Sequence, residues 1–335
     1  MIMSLTASLA LALSLQASEP IAAGTLQPSA TAITELMRAH HYNPADLDDP
    51  AYLAIEAGTL ELGETATDQA DFLRRFRDVW ADAPFSHVRL TPARGTAAEL
   101  AASIDTLNIG GGGAVLSWHD DTAILNVTSM IGQDTIAEIN AAYVEIAERG
   151  ADALIIDLRQ NGGGAFAVRP LVEHVVTEPL DAGVFVSQPW NAAHDRAPQR
   201  SDLADVPLWE GWSLVTFWNA VQTEALTPIG FQPAEDNHFD GPLYVLTSNE
   251  TASAAELAAD ALKASGRAIL VGETTAGEML SQTVFDVPGG LQLWLPIADY
   301  YSLAYGRIEG VGVAPDIAAD AGLAQDIALD LIARR

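Results

Sequence analysis

The sequence predicts an α/β fold with a parallel sheet at its core. Residues 243–246 form a short apolar run typical of a buried strand, a helix-spaced apolar pattern follows, and a second apolar run ends before Glu273. Residues 123–127, 135–149 and 153–157 repeat this order of strand, helix and strand. Two strands joined through a helix run parallel with a right-handed crossover, so both segments are predicted to be parallel βαβ units.

The composition is that of a globular protein. The chain has 335 residues, 49% hydrophobic and 18% charged, which allows two domains or one large α/β domain with an appended piece. Its 16 basic and 45 acidic residues give a net charge of −29, so the surface repels nucleic acid and anionic lipid. We therefore expect no nucleic-acid partner. The absence of cysteine from the sequence excludes disulfides, a thiol nucleophile and thiolate metal sites.

The first 17 residues resemble a secretory signal peptide. They are apolar or small, too few to span a bilayer, and a polar stretch follows them. The segment lacks Lys and Arg, and the site before Ser18 is an imperfect cleavage signal, so an amphipathic helix in a cytoplasmic protein is the alternative. No later segment has the length of a transmembrane helix, and we expect no stable membrane insertion. The predicted location is periplasmic or secreted.

The remaining chain divides into two predicted regions. Residues 25–90 carry apolar residues at helical spacing and are predicted to form a small helical domain. The core domain is predicted at residues 110–335, beginning in a run of four glycines. Residues 180–240 are rich in tryptophan without clear periodicity and are interpreted as an insertion, either a substrate lid or a self-packed segment. A hairpin around Pro288 and a closing helix at residues 324–332 complete the prediction.

Ser253 is the candidate nucleophile because it lies where a predicted strand meets a predicted helix. Backbone N–H groups at a helix start lack partners, and the helix dipole favours negative charge there. The alternative is that Ser253 or Thr251 only caps the helix, with Glu256 closing a capping box. A second signal is the glycine-rich turn at residues 161–164, which follows a predicted strand at the edge where open α/β sheets bind ligands.

Other motifs give no positive support for another chemistry. The glycines at 272 and 277 have phosphate-loop spacing, but Glu278 stands where that loop needs a lysine and would repel a phosphate. The histidines lack the H-E-x-x-H spacing of a zinc site, and the sequence has no cysteine ligand. We therefore predict no metal and no cofactor.

Five short motifs together resemble one group of serine peptidases. They are Ser86-His87, the run from Asp157 to Gly163 (DLRQNGG), the run from Thr251 to Glu256 (TASAAE), Gly272-Glu273-Thr274, and the run from Glu309 to Asp316 (EGVGVAPD). The group contains C-terminal processing proteases, tricorn protease and the interphotoreceptor retinoid-binding repeats. The resemblance covers about residues 114–316, with the Ser-His element upstream. It implies a crotonase-like α/β core and a peptide or unfolded-protein substrate.

The resemblance also assigns catalytic roles. It implies Ser253 as the nucleophile, while the lysine base of the processing branch is replaced by Glu278. The tricorn-like branch uses a histidine preceded by serine and a glutamate near the last motif. Here His87 matches the base, and Ser86 and Glu309 match the groups that orient it.

Two further expectations follow from these roles. The backbone N–H groups of Gly163 and Ala254 are predicted to hold the oxyanion. Residues 91–109 are too few for the peptide-binding PDZ domain that the processing branch usually carries. Two other functions stay open at this point, a non-catalytic binding protein on the same scaffold and an acyl-CoA enzyme of the crotonase type. The sequence does not decide the oligomeric state.

Overall fold

The computed structural model describes residues 26–335. The predicted signal peptide at residues 1–17 and the first residue of the predicted helical domain lie outside the described residues. Within residues 26–335, no helix combines the length and apolar character needed to cross a membrane.

Three helices open the described chain and pack on one another through large apolar side chains. Asp49 and Asp68 cap the second and third helices by accepting backbone N–H groups at 2.7 and 2.8 Å. Tyr52, Phe72 and Phe76 are almost fully buried between these helices. The three helices are α1 Gln27–His40, α2 Pro50–Thr65 and α3 Gln69–Val79, with a 3-10 helix at Pro44–Asp48.

A six-stranded, mainly parallel sheet forms the first layer of the core. Its strand order is β12-β8-β7-β4-β3-β2, and only the β2–β3 hairpin is antiparallel. The two predicted strand–helix–strand units are present in it, and their strands run parallel. The strands are β2 Ala114–His119, β3 Thr122–Val127, β4 Ala153–Asp157, β7 Leu243–Thr247, β8 Ala268–Gly272 and β12 Ile317–Ala318.

A second, antiparallel sheet is built around one long strand, β10. Strand β10 pairs with β1, β5, β9 and β11, while β6 pairs with β5. The predicted hairpin around Pro288 is the β9–β10 pair. These strands are β1 Arg89–Pro92, β5 Leu180–Ser187, β6 Leu226–Phe231, β9 Ser281–Val287, β10 Leu291–Ser302 and β11 Gly306–Arg307.

Helix α9 (Ala254–Ala264) connects β7 to β8 and is buried between the two sheets. Every residue from Ala254 to Leu262 is buried, which the many alanines permit because they let neighbouring elements approach closely. Helix α10 covers the opposite face of the parallel sheet. The other helices are α4 Ala97–Ile104, α5 Gln133–Arg149, α6 Val168–Glu173, α7 Gln188–Ala193, α8 Leu214–Thr223 and α10 Ala324–Ala333.

The segment interpreted as an insertion has regular structure at both ends. Strands β5 and β6 belong to the second sheet, while α7, α8 and the connecting loops lie between them. Gly183 and Pro228 interrupt the apolar pattern of these strands, which is why no strand was predicted there. The helical region before the core ends in β1, so the antiparallel sheet joins the N-terminal helices to the rest of the chain.

Candidate active site

Ser253 lies at the turn between β7 and α9, with its backbone in an unusual conformation. Its φ of 55° and ψ of −122° fall in a region that residues other than glycine rarely adopt. Such a conformation costs about 1–3 kcal/mol and persists only where the surroundings fix it. One such contact is the Ser253 N–H, which donates to Glu256 Oε2 at 3.0 Å.

The glycine-rich turn after β4 lies directly against this serine. A Cβ added to Gly163 would be 2.6 Å from Ser253 Cβ and 2.7 Å from the carbonyl oxygen of Ala252. Gly163 also has a φ of 93°, which strains any other residue. Only glycine therefore allows the turn to pass this close to the serine.

His87, Ser86 and Glu309 come together from distant parts of the sequence. Ser86 Oγ lies 2.5 Å from His87 Nδ1 and donates to Glu309 Oε1 at 2.7 Å. The other carboxylate oxygen, Glu309 Oε2, accepts the N–H groups of Met279 at 2.6 Å and Leu280 at 3.2 Å. Both oxygens of this buried carboxylate are therefore fixed, and the Ser86 hydroxyl is held between the carboxylate and the imidazole.

Burial sets the protonation state of His87. Desolvation lowers the pKa of the imidazole below its ordinary value of 6.5, and the positive charge of Arg89 acts in the same direction. The negative charges of Glu309 and Glu278 oppose this shift without reversing it. The ring is therefore neutral at neutral pH, which is the state that can accept a proton.

Ser253 and His87 line the same cavity, whose volume is about 400 Å³. Within the described residues, no direct hydrogen bond joins Ser253 Oγ to the His87 ring. The rest of the cavity surface is mainly apolar, and we call its seven aromatic residues the aromatic wall: Phe166, Phe185, Trp209, Trp212, Phe217, Trp218 and Trp294.

The two predicted oxyanion donors differ in their hydrogen bonding. The Gly163 N–H donates to Asn161 Oδ1 at 2.9 Å, and Asn161 is itself buried and donates to the Val127 carbonyl. The Ala254 N–H, the first of α9, has no protein acceptor within residues 26–335. Both residues line the cavity, but only the Ala254 N–H is available without displacing another acceptor.

Glu256 has a larger role in the site than its spacing from Ser253 indicates. Its side chain is fully buried and, besides the Ser253 N–H, accepts three hydrogen bonds from the loop after β8. The donors in that loop are Thr275 Oγ1 at 2.5 Å, the Gly277 N–H at 2.8 Å and the Glu278 N–H at 2.9 Å. Burial raises the pKa of Glu256, and these hydrogen bonds oppose that rise.

The loop at residues 275–280 is therefore held by two buried carboxylates, Glu256 at one end and Glu309 at the other. The S-x-x-E spacing indicates the hydrogen bond between Glu256 and the Ser253 N–H. No local pattern indicates the hydrogen bonds that Glu256 and Glu309 make to the loop at residues 275–280. Glu278 itself is exposed on this loop, with only its backbone N–H bonded to Glu256.

Asp105, which sequence reasoning did not identify, holds the start of α8, the helix that carries two residues of the aromatic wall. Its carboxylate accepts the Ser213 hydroxyl at 2.7 Å and the Leu214 N–H at 2.6 Å, so it caps the start of α8 from outside that helix. Helix α8 supplies Phe217 and Trp218 to the cavity. Within residues 26–335, no group of three or more His, Asp or Glu residues is arranged to hold a metal ion.

A strained serine at a helix start that shares a cavity with a neutral histidine is typical of serine hydrolases. The mixed α/β architecture with a glycine turn beside the serine agrees with that class. Residues 121–319 match the model of peptidase family S41, and the chain belongs to that family.

Curated relatives carry names of processing peptidases. A chloroplastic C-terminal processing peptidase of Tetradesmus obliquus is 31% identical over 189 residues, which is 56% of this chain and 33% of that protein. A carboxyl-terminal-processing protease of Picosynechococcus is 30% identical over 179 residues, which is 53% of this chain and 34% of that protein. The chain spans about a third of the length of these relatives.

Solved structures share the fold over most of the chain. A lipoprotein from Streptococcus agalactiae has a TM-score of 0.59 at 12% identity, covering 96% of this chain and 100% of that one. The photosystem II D1 C-terminal processing protease has a TM-score of 0.54 at 18% identity, covering 89% and 94%. At these identities the likeness shows the mixed α/β fold alone.

Proposed function

We propose that the protein is a serine peptidase on a crotonase-like core, with Ser253 as nucleophile and His87 as general base. The observation that carries this proposal is that the strained serine and the histidine line one cavity, while Ser86 and Glu309 orient the histidine from behind. Membership of a peptidase family supports the same reaction.

The hydrogen bonds behind His87 determine which ring nitrogen carries the proton. The single hydroxyl proton of Ser86 is donated to the Glu309 carboxylate, which has no proton to return when ionised. The Ser86 oxygen must then accept from His87 Nδ1–H. This leaves Nε2 with a lone pair, which is the acceptor that a general base needs.

Catalysis then follows the general course of acyl transfer. His87 Nε2 takes the hydroxyl proton as Ser253 Oγ attacks a peptide carbonyl, and it returns that proton to the leaving amine. Water, activated by the same nitrogen, hydrolyses the acyl-enzyme and restores the serine. The distance between Ser253 Oγ and His87 Nε2 is expected to shorten when substrate fills the cavity.

The oxyanion would be held by the N–H groups of Ala254 and Gly163. Ala254 supplies a free N–H at the positive end of α9, where developing negative charge is stabilised. Gly163 has to release or share its bond to Asn161 Oδ1 as the oxyanion forms. The charged oxyanion is a stronger acceptor than a neutral amide oxygen, so this exchange is favourable in the transition state.

A non-catalytic binding protein is the rival function, because the aromatic wall also suits an apolar ligand. A fluorophosphonate probe separates the two functions, since it labels a serine only when a base activates it. We expect labelling and peptide hydrolysis in the natural protein and neither in Ser253→Ala. Ser281→Ala is the matched control, because Ser281 lines the same cavity and should keep both activities. An unlabelled natural protein would favour the binding function.

We also propose that residues 1–17 direct export and are removed, and that the mature protein acts on peptides or unfolded proteins outside the cytoplasm. The division into a helical region at 25–90 and a core at 110–335 belongs to the same proposal. Mass spectrometry of protein expressed in a bacterium with export machinery tests it. A mature N-terminus near Ser18 is expected, and an intact N-terminus would contradict export.

A further inference from the structure

We propose that the hydroxyl groups of Thr251 and Ser248 hold the glycine-rich turn against the nucleophile and thereby set the spacing of the two oxyanion donors. This role rests on the proposed function and assigns two positioning residues to the same reaction. Both side chains are buried, with exposed fractions of 0% for Thr251 and 4% for Ser248, and neither lines the cavity. They can therefore act on the reaction only through the backbone that they hold.

Thr251 uses its hydroxyl group to join the segment after β4 to the segment after β7. Its Oγ1 donates to the carbonyl oxygen of Leu158 at 2.8 Å and accepts the N–H of Ser248 at 3.0 Å. A hydroxyl has one proton to donate, so the bond to Leu158 occupies it. The sequence left open that Thr251 caps α9, whereas in the structure its hydroxyl joins these two segments.

Ser248 makes a similar contact to the next residue of the segment after β4. Its Oγ donates to the carbonyl oxygen of Arg159 at 2.5 Å and accepts the N–H of Glu250 at 3.0 Å. The backbone adds a third bond, from the Ala252 N–H to the carbonyl oxygen of Asn161 at 3.0 Å. Three carbonyl groups just before and within the glycine-rich turn are therefore held by the segment that leads to the nucleophile.

The position of the glycine-rich turn determines whether two N–H groups can reach one oxygen. Gly163 belongs to this turn and Ala254 to the start of α9, so the two proposed donors lie on separate segments. An oxyanion donor has to lie about 2.7–3.1 Å from the oxygen, and a misplacement of about 1 Å can lower a rate about a hundredfold. Since the charge on the oxygen develops only in the transition state, misplacing the turn should affect kcat more than KM.

The alternative is that the two hydroxyls only stabilise the fold, as buried hydrogen bonds do. A loss of stability alone lowers the number of folded, competent active sites and leaves each remaining site unchanged. A loss of positioning lowers the kcat of every site and weakens the binding of a transition-state analogue by a similar factor, while KM changes little. The two explanations therefore differ in a quantity that can be measured per competent site.

Three variants remove or keep the proposed contacts. Thr251→Val keeps the size of the side chain and removes the hydroxyl, whereas Thr251→Ser keeps the hydroxyl. Ser248→Ala removes the second contact and decides the question if Thr251→Val does not fold. Thr247→Val is the matched control, because the Thr247 hydroxyl is also buried and donates to a backbone carbonyl, that of Glu273 at 2.8 Å. That contact reaches the residue after β8 and not the glycine-rich turn.

Two reagents supply the measurements beside steady-state peptide hydrolysis. A fluorophosphonate, left to react to completion, counts the competent serines. A peptide boronic acid serves as the transition-state analogue, because Ser253 Oγ adds to its boron, the hydroxyl proton passes to His87, and the adduct is tetrahedral and negatively charged. Thermal melts show which variants are folded.

Per competent site, we expect Thr251→Val and Ser248→Ala to lower kcat about tenfold to a hundredfold, with KM changed less than about threefold. The inhibition constant of the boronic acid should rise by about the same factor as kcat falls. Thr251→Ser and Thr247→Val should stay within about threefold of the natural protein in both quantities.

Unchanged kcat and inhibition constant per competent site, in the folded variants that lack a contact, would overturn the inference and leave the proposed function standing. An equal loss in Thr247→Val would also overturn it, because any buried hydroxyl would then have the same effect. A natural protein that neither hydrolyses peptides nor reacts with the fluorophosphonate would overturn the proposed function, and the inference with it.

Discussion

Glu256→Gln tests how the nucleophile is held in its strained conformation. The substitution keeps the size of the side chain and one acceptor oxygen, but it replaces the other oxygen with an NH₂ group that cannot accept. In the natural protein each carboxylate oxygen accepts two hydrogen bonds. Oε1 accepts Thr275 Oγ1 and the Gly277 N–H, while Oε2 accepts the N–H groups of Ser253 and Glu278.

The magnitude follows from the donors that lose their acceptor. In one orientation of the amide the Gly277 N–H is left unpaired, and in the other the Ser253 and Glu278 N–H groups are. A buried donor without an acceptor costs about 1–3 kcal/mol, so the free energy of unfolding should fall by about that amount. If the transition state loses a similar free energy of stabilisation because the Ser253 backbone is no longer held in place, kcat should fall about tenfold to a hundredfold.

The assay combines steady-state peptide hydrolysis with urea unfolding. Because Glu256 does not line the cavity, kcat should fall while KM changes little. Glu250→Gln is the matched control, since that residue is exposed in the same turn and only its backbone is hydrogen bonded there. Normal kcat in a destabilised Glu256→Gln protein would refute the positioning role. If both kcat and the free energy of unfolding are normal in Glu256→Gln, the four hydrogen bonds contribute nothing measurable to activity or stability.

Four other predictions test the base, its titration, the cavity and one buried charge. His87→Ala should lower kcat about a thousandfold, as loss of a triad member does, while Glu278→Ala keeps kcat nearly unchanged. Because the pKa of His87 is lowered, the acid limb of kcat/KM in the natural protein should lie below pH 6.5, and Glu278→Gln should move it further down by removing a charge that raises that pKa. Asp105→Ala should raise KM more than it lowers kcat, because the capped helix α8 forms part of the cavity. Burial raises the pKa of Asp260 from 3.8 to about 6, so its contribution to stability is lost as pH rises through about 6. Asp260→Asn, which keeps an acceptor for the Tyr300 hydroxyl, should therefore stabilise the protein above about pH 7 and have little effect below about pH 4.

Each of these has a clear contrary result. Retained turnover in His87→Ala together with its loss in Glu278→Ala would require a different base. An acid limb above pH 6.5 would contradict a lowered histidine pKa. Unchanged KM in Asp105→Ala would mean that the cap does not shape the cavity. A stabilisation by Asp260→Asn that is equal at both pH values, measured by chemical unfolding, would show that the buried charge is not its cause.

The parallel sheet could be predicted from the sequence because its strands are short apolar runs bounded by turn residues. The predicted strand at residues 153–157 coincides with β4. The predicted helix at residues 135–149 corresponds to α5, which begins slightly earlier, at Gln133. The antiparallel sheet was harder to predict. Its strands β5 and β6 contain glycine and proline and are stabilised by pairing with distant β10, which no local pattern records.

Part of the candidate site could likewise be predicted from local sequence patterns, and part could not. The turn position of Ser253 follows from the strand–helix pattern, whereas the involvement of Ser86, His87 and Glu309 came only from the family resemblance. The contact between Gly163 and Asn161 depends on backbone geometry that the residue types do not specify. Its effect on the oxyanion site could therefore be seen only in the structure.

The pairing of β1 with β10 has a consequence for the timing of activity. The hydrogen bond between Ser86 and Glu309 joins residues 223 positions apart, and β1 has no partner until β10 has been synthesised. A ribosome that adds roughly 5–20 residues per second needs about 10–45 seconds to cover that distance. During this interval a nascent chain can already contain Ser253 but has no oriented base. If the proposed function holds, the order of the chain therefore delays catalytic activity until nearly the whole chain has been synthesised.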